Sequence, residues 1–140
     1  VSLGEEAPRR VHGIHHPSGD VKKVSTFKGT MVRSSWSEAP NTYHLQIPSW
    51  TNGVTERGSS GSPLFDSRGL IVGHLRGGQS SCDYPTGYDL YGAIAHDWDK
   101  PERVVSQLGK WLNPEGRKNV GVVAGGYLRD IRNKAKPGTL

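Results

Sequence analysis

The segment from Glu56 to Pro63 has the residue types of a nucleophilic hydrolase site. It reads Glu-Arg-Gly-Ser-Ser-Gly-Ser-Pro, so Ser60 stands two residues after Gly58 and directly before Gly61. Gly58 lets the backbone bend so that successive N–H groups point into one concavity. Those groups could stabilise a developing oxyanion while the Ser60 hydroxyl attacks a carbonyl. A flexible Gly/Ser loop would have the same composition, so the segment alone leaves both interpretations open.

Histidine is the residue type most often used as a general base, and the chain has 6 of them: His12, His15, His16, His44, His74 and His96. We expect His15 and His16 to be structural residues of a strand and His74 to pack on a hairpin. The adjacent His96 and Asp97 do not by themselves orient an imidazole. Because no Cys/His ligand set is present, we also expect no metal site. The predicted chemistry needs no cofactor.

The elements around Ser60 read as short strands joined by turns. The clearest signal is a hairpin in which two apolar runs flank Asp66-Ser67-Arg68-Gly69. Further extended runs are predicted on both sides of a turn at His16–Asp20, and again near residues 43–47 and 88–95. This pattern predicts a small all-β barrel.

One amphipathic helix is predicted after the strands. Apolar side chains recur at helical spacing over residues 100–112, with Asp99 as N-cap, Glu102 as its reciprocal partner and Pro114 beyond the end. We therefore divide the chain into an exposed entry segment (1–10), a barrel (11–98), a closing helix (99–114) and a basic extension (115–140). Within that extension, residues 120–131 fit either a strand or a frayed helix.

Composition limits the classes of protein to which the chain can belong. Its 140 residues, with 19 Gly, 9 Pro and 33% hydrophobic residues, suit one domain or half of a larger one and not a helical bundle. Apolar runs of about five residues are too short to span a membrane.

The net charge of +5 arises in residues 99–140, which hold nine Lys+Arg against four Asp+Glu, whereas residues 1–98 hold nine of each. We interpret this surplus as a solvated basic helix and tail. No nucleic-acid-binding motif accompanies it, so no nucleic-acid partner is expected. Binding of the tail to nucleic acid or to an anionic membrane surface is the alternative.

The stretch GSSGSPLFDSRGLIVGHLRGG resembles the nucleophile region of chymotrypsin-like serine proteases, in the form of the bacterial lysyl endopeptidase branch. IHHPSGDVKKVS (14–25) is similar to the strand that begins the second barrel of that branch. GGQSSC (77–82), YDLYGAI (88–94) and VSQLGKWLNP (105–114) resemble the entrance of its specificity pocket, the back of that pocket and the closing helix. The resemblance implies a six-stranded antiparallel barrel, the second of a chymotrypsin-like double barrel, with a C-terminal amphipathic helix.

The resemblance also implies roles for individual residues. Ser60 would be the nucleophile, and the N–H groups of Gly58 and Ser60 would form the oxyanion hole. Leu75, Arg76 and Gly77 would bind the substrate backbone, and Asp89 would lie at the base of the pocket for the substrate side chain. A buried carboxylate needs a cationic partner, so this role predicts cleavage after Lys or Arg. Without the resemblance, Asp89 is equally an ordinary turn carboxylate.

The chain departs from the family pattern in two places. Ser59 stands where animal trypsins have an Asp that pairs with a freshly cut N-terminus, so that ion-pair switch is not expected. The Ala-Ala-His-Cys signature of the general-base His is absent, and so is the N-terminal barrel that holds this His and its orienting Asp. The chain thus looks like the C-terminal half of a trypsin-like protease with a basic extension.

Cys82 is the single cysteine of the chain. A lone cysteine is either an inert side chain or a partner for another segment. The resemblance implies a disulfide to a segment near the start of the mature enzyme, on an N-terminal half that this chain lacks. It favours a secreted or extracytoplasmic location and leaves a cytoplasmic one open.

These observations lead to two function hypotheses. The first is the nucleophile- and specificity-bearing part of a trypsin-like serine endopeptidase, which acts on polypeptides after Lys or Arg with His and Asp supplied by the N-terminal half. The alternative is a non-catalytic, protease-like module that binds basic peptide segments.

Overall fold

A computed structural model describes residues 1–4, 6–36, 43–118 and 120–123. Its strands are β1 (Arg10–His15), β2 (Lys23–Lys28), β3 (Val32–Ser34), β4 (His44–Ile47), β5 (Pro63–Asp66), β6 (Ile71–Gly78) and β7 (Asp89–Ala93). Two short helices follow, α1 (Ile94–Asp97) and α2 (Leu108–Leu112). Single 3₁₀ turns lie at Pro17–Gly19 and Val104–Ser106.

The strands form one antiparallel sheet in the order β2-β1-β5-β6-β7-β4-β3, which curls into a half-barrel. The predicted β class is confirmed. The closed six-stranded barrel was wrong, because the sheet has seven strands and no ladder joins β2 to β3 in the described residues. At the outer edge of β2, Thr26 already exchanges backbone hydrogen bonds with Thr51 and Asn52, at 2.9–3.1 Å. Bonded edge groups cannot pair with a further strand.

The core follows from the alternation of side chains along the strands. In β1 the inward positions are Val11, Gly13 and His15, and in β2 they are Ser25 and Phe27. The apolar core consists of Val11, Phe27, Met31, Leu45, Ile47, Trp50, Leu64, Leu75, Tyr91 and Ala93. The inward polar positions in β1 and β2 therefore require hydrogen-bond partners within the protein.

The single helix predicted over residues 100–112 was wrong. The chain makes only the 3₁₀ turn and the five-residue α2, and Trp111 on the predicted apolar face is 69% exposed. An α-helix would pair the carbonyls of Asp99 and Pro101 with N–H groups four residues later, but here both carbonyls accept from the Gln107 side chain. The predicted Asp99 cap is not formed, and no side chain caps the 3₁₀ turn.

The entry segment is not wholly exposed. Ser2 is buried, its N–H donates to Ile71 O at 2.9 Å, and it forms a β-bridge with Val122. Most of residues 120–131, for which a strand or a frayed helix was predicted, lies outside the described residues. None of the described helices is long and apolar enough to cross a membrane.

Candidate active site

The turn over residues 56–62 presents Ser60 outward and Ser59 inward. Gly58 and Gly61 adopt φ of 88° and 81°, a region that favours glycine. The Ser59 N–H donates to Glu56 O, and the Ser62 N–H donates to Ser59 O, both at 3.1 Å. Ser60 is exposed as a result, while Ser59 is only 1% exposed.

The same turn is bonded to the edge of β6. The Gly61 N–H donates to Leu75 O at 2.6 Å, and the Leu75 N–H donates to Ser62 O at 2.9 Å. Both backbone groups of Leu75, a predicted substrate-binding residue, are thus engaged. Its carbonyl keeps a second lone pair that could accept from a substrate N–H. The Ser60 hydroxyl lies 3.5 Å from Arg76 O, on the exposed side of that strand.

Along the turn, N–H groups that donate a hydrogen bond alternate with N–H groups that do not. Ser59 N–H is bonded, but in the part of the chain that the structure describes the N–H groups of Gly58 and Ser60 donate to no acceptor. An oxyanion is stabilised by unpaired N–H donors beside the nucleophile, and these two belong to Ser60 itself and to the residue two positions before it. The geometry can therefore support the predicted chemistry at Ser60.

The turn after β1 supports the Ser60 turn from the opposite side. Ser18 takes a left-handed conformation (φ 52°), its N–H donates to Arg57 O at 2.6 Å, and its hydroxyl donates to Glu56 Oε2 at 2.8 Å. The other oxygen of Glu56 accepts from the Cys82 N–H at 3.1 Å. Hydrogen bonds from Cys82 and then Ser18 lower the pKa of Glu56. Glu56 therefore connects three loops around one opening.

That opening is a cleft of about 500 Å³. Ser60 lies at its rim, and its walls include Trp36, Thr55, Gly77, Gly78 and Ser80. The guanidinium carbon of Arg76 lies 4.6 Å from the centre of the Trp36 ring, a cation–π contact. The structure thus brings Ser60 and the predicted substrate strand together at one cleft.

Asp89 is completely buried behind this cleft. Its Oδ2 accepts from Trp50 Nε1 at 2.6 Å and from Thr55 Oγ1 at 2.7 Å. Its Oδ1 has no hydrogen-bond partner among the described residues. A Cβ added at Gly78 would stand 2.5 Å from that oxygen, so a glycine at this position leaves room beside Oδ1. Burial raises the pKa of Asp89, and the side chains of Trp50, Thr55 and Ser80 only partly oppose the rise.

The histidines do not contact Ser60. His15 is buried and bonds to Ser59 and Ser25. His74 and His96 lie 2.8 and 3.2 Å from the two oxygens of Asp97. Burial acts to raise the pKa of Asp97, but hydrogen bonds from these imidazoles lower it overall. No group of metal-ligating side chains occurs in the described ranges.

Cys82 lies in the loop between β6 and β7, where it is exposed and its thiol is free. A hydrogen bond to Glu56 and the charge of that carboxylate raise the pKa of the thiol, which makes it a poor nucleophile at neutral pH. The disulfide to another segment stays a prediction.

Sequence reasoning missed the partners of the two buried polar groups. Trp50 and Thr55 stand 39 and 34 residues from Asp89, and Ser59 stands 44 residues from His15. No local pattern links residues at such separations. Only the alternation in β1, which puts His15 on the face of Val11, could have marked that histidine as buried.

Comparison with known proteins gives two findings. The family described as "Lysyl endopeptidase, C-terminal domain" matches residues 2–92. A lysyl endopeptidase of Pseudomonas aeruginosa is 38% identical over 79 residues, which are 54% of this chain and 16% of that protein. The chain therefore spans a small part of this relative.

Proposed function

The chain belongs to the lysyl endopeptidase C-terminal domain family, and we propose that it is the nucleophile- and specificity-bearing part of a trypsin-like serine endopeptidase. Membership bears out the resemblance seen in the sequence and supports a protease-related role. The observation that carries the finer proposal is the pairing of an exposed Ser60, at the rim of a cleft, with a buried Asp89 whose Oδ1 has no partner in the described residues. The substrate would be a polypeptide cut after Lys or Arg.

The proposed reaction is acyl transfer. The Ser60 Oγ attacks the scissile carbonyl while a His outside this chain accepts its proton, and the unpaired N–H groups of Gly58 and Ser60 receive the oxyanion. The same His gives the proton to the leaving amine. Water then attacks the acyl-enzyme, which frees the carboxylic acid and restores the Ser60 hydroxyl. An N-terminal protease half supplies the His and its Asp, in the same precursor or as a separate chain.

Substrate selection is proposed to depend on Asp89. A Lys ammonium or Arg guanidinium that enters the cleft would donate to Oδ1, the oxygen that Trp50 and Thr55 leave unused. A buried carboxylate is stabilised by such a cation far more than by a neutral side chain. A secreted location and a disulfide from Cys82 to the N-terminal half belong to the same proposal.

A protease-like binding module remains the second candidate. It is favoured by one observation: within the described residues, Ser60 Oγ has a hydrogen-bond contact with Arg76 O alone, at 3.5 Å, and none with a histidine. Such a module would hold basic peptide segments in the same cleft without cutting them.

The deciding experiment is intact mass spectrometry of the natural protein, with and without reductant, after exposure to a fluorophosphonate. An active enzyme gains the phosphonyl group at Ser60 with loss of fluoride, and Ser60→Ala prevents the gain. A second chain released by reductant would identify the partner of Cys82. A folded protein that never reacts with the probe but still binds Lys or Arg peptides would contradict the enzyme proposal and support the binding module.

A further inference from the structure

A chain of buried hydrogen bonds runs from the Ser60 turn into the sheet. His15 Nδ1 lies 3.0 Å from Ser59 Oγ, and His15 Nε2 lies 3.0 Å from Ser25 Oγ. The Ser25 hydroxyl lies 2.7 Å from Val54 O. The three side chains are at most 2% exposed. This series of hydrogen bonds connects β1, β2 and the segment before the turn, next to the proposed nucleophile.

The direction of each bond follows from the number of protons available. Val54 O can only accept, so the single hydroxyl proton of Ser25 goes to it. Ser25 Oγ must then accept from His15, which places a proton on Nε2. In the neutral imidazole Nδ1 is left as an acceptor, and the Ser59 hydroxyl donates to it. Burial, together with the neighbouring His16, lowers the pKa of His15 and favours this neutral form.

The bonded hydroxyl belongs to the residue between the two proposed oxyanion donors. Ser59 separates Gly58 from Ser60, so a fixed Ser59 side chain restrains the stretch of backbone that carries both N–H groups. Ser59 is also the residue whose N–H closes the turn on Glu56 O. The Ser18 contacts hold the turn from outside, at exposed positions, whereas His15 holds it from within the core.

We infer that His15 is a positioning residue that holds the Ser60 turn in its reactive shape through a neutral, Nε2-protonated imidazole bonded to Ser59. The inference rests on the proposed function, because it assigns a role in the reaction of Ser60. It also explains how a turn with Ser at position 59 is held in place. The neutral Ser59 hydroxyl donates a hydrogen bond to the neutral imidazole of His15, within the same chain. No cut N-terminus is needed to complete this contact.

The test compares Ser59→Ala with the natural protein in three measurements. Ser59→Ala should slow fluorophosphonate labelling of Ser60 by roughly 10- to 100-fold, since small misplacements of reacting groups cost this much. Binding of benzamidine in the cleft should stay within about twofold, because Asp89 is untouched. Amide hydrogen exchange at residues 56–62 should accelerate. His12→Leu, at an exposed position of β1, is the control and should change none of these.

Substitutions at His15 separate positioning from packing. His15→Leu removes both bonds, whereas His15→Gln can supply an N–H to Ser25 and a carbonyl to Ser59. Partial recovery of the labelling rate in His15→Gln over His15→Leu is expected. If His15→Leu fails to fold, the comparison of Ser59→Ala with the natural protein decides whether the bond between His15 and Ser59 positions the turn.

The ¹⁵N chemical shifts of His15 should report protonation at Nε2 alone. The inference is overturned by an Nδ1-protonated imidazole, or by unchanged exchange at residues 56–62 in Ser59→Ala. It is equally overturned by a Ser59→Ala labelling rate within about twofold of the natural one. Should the natural protein take no probe at all, the proposed function fails. The exchange and nitrogen-shift measurements then still decide whether His15 holds the turn.

Discussion

Trp50 Nε1 donates a hydrogen bond of 2.6 Å to Asp89 Oδ2, so the indole and the Thr55 hydroxyl both use the same carboxylate oxygen. The carboxylate is thereby fixed with Oδ1 unbonded in the described chain and lying under Gly78. Two donors on one oxygen hold the group in place, and burial still raises its pKa despite these donors and the nearby Ser80 side chain. A carboxylate with one bonded and one unbonded oxygen suits a site that binds a cationic side chain.

If Asp89 selects the substrate as proposed, its replacement by Asn should abolish the proposed preference for basic substrates. Removal of one partner of a buried charge pair costs about 2–5 kcal/mol, or roughly 30- to 4,000-fold in kcat/KM for Lys and Arg peptides. Cleavage of neutral peptides should change little. The measurement is kcat/KM of the natural protein and the variant on matched peptides. Asp83→Asn, an exposed aspartate in the adjacent loop, is the control, and an equal loss in both variants would contradict the assignment.

Binding of a cationic probe in the cleft should weaken in acid. Burial raises the pKa of Asp89, so in the empty site its protonated form persists to higher pH than in a surface aspartate. The cation binds the ionised form, and binding therefore releases a proton at pH values below that raised pKa. Benzamidine affinity measured from pH 4 to 8 should rise with pH and then level off. Asp89→Asn should bind weakly without this rise, and a natural protein with a flat profile would refute the expectation.

Gly78→Ala should block access of a cationic side chain to Asp89. The added Cβ would meet the backbone carbonyl of Tyr88 and lie 2.5 Å from Asp89 Oδ1. Overpacking of this kind costs about 1–3 kcal/mol of stability. We expect loss of benzamidine binding and a lower midpoint of denaturant unfolding. Gly121→Ala, where no heavy atom lies within 4 Å of the added Cβ, should change neither.

The parts of the site that could be predicted are those determined by adjacent residues. The Ser60 turn and the β5–β6 hairpin follow from Gly at positions that need positive φ and from the apolar runs beside them. The position of Asp89 at the start of β7 agrees with the extended run predicted near residues 88–95, whereas its pocket role was implied by the resemblance.

The parts that could not be predicted depend on contacts distant in sequence. At the edge of β2, for example, the backbone groups of Thr26 are bonded to residues 51 and 52, about 25 positions later, and not to another strand. In place of the predicted helix, the Gln107 side chain bonds to carbonyls six and eight residues earlier, a contact that helical periodicity does not indicate. The bond between His15 and Ser59 joins residues 44 apart. Composition marks both residue types as polar but gives no indication of the pairing.

Acid should destabilise the fold through two imidazoles, the buried His15 and the half-buried His44. Burial and the neighbouring His16 lower the pKa of His15, and burial and Arg76 lower the pKa of His44, whose Nδ1 has no partner among the described residues. In the unfolded chain both titrate near 6.5. The unfolded state therefore binds more protons below that pH, and stability present above pH 6.5 is lost as the pH falls through the folded pKa values.

Denaturant unfolding at pH 8, 7, 6 and 5 measures this loss. The free energy of unfolding should be level between pH 8 and 7 and should decrease towards pH 5. His15→Gln should reduce the decrease because it removes one of the two protons, while His12→Gln, at an exposed position on the same strand, should not. A decrease of equal size in His15→Gln and the natural protein would show that His15 takes no part in it. That result would also weaken the case for a neutral imidazole behind the Ser60 turn, because a charged His15 would already have accepted its proton in the folded state.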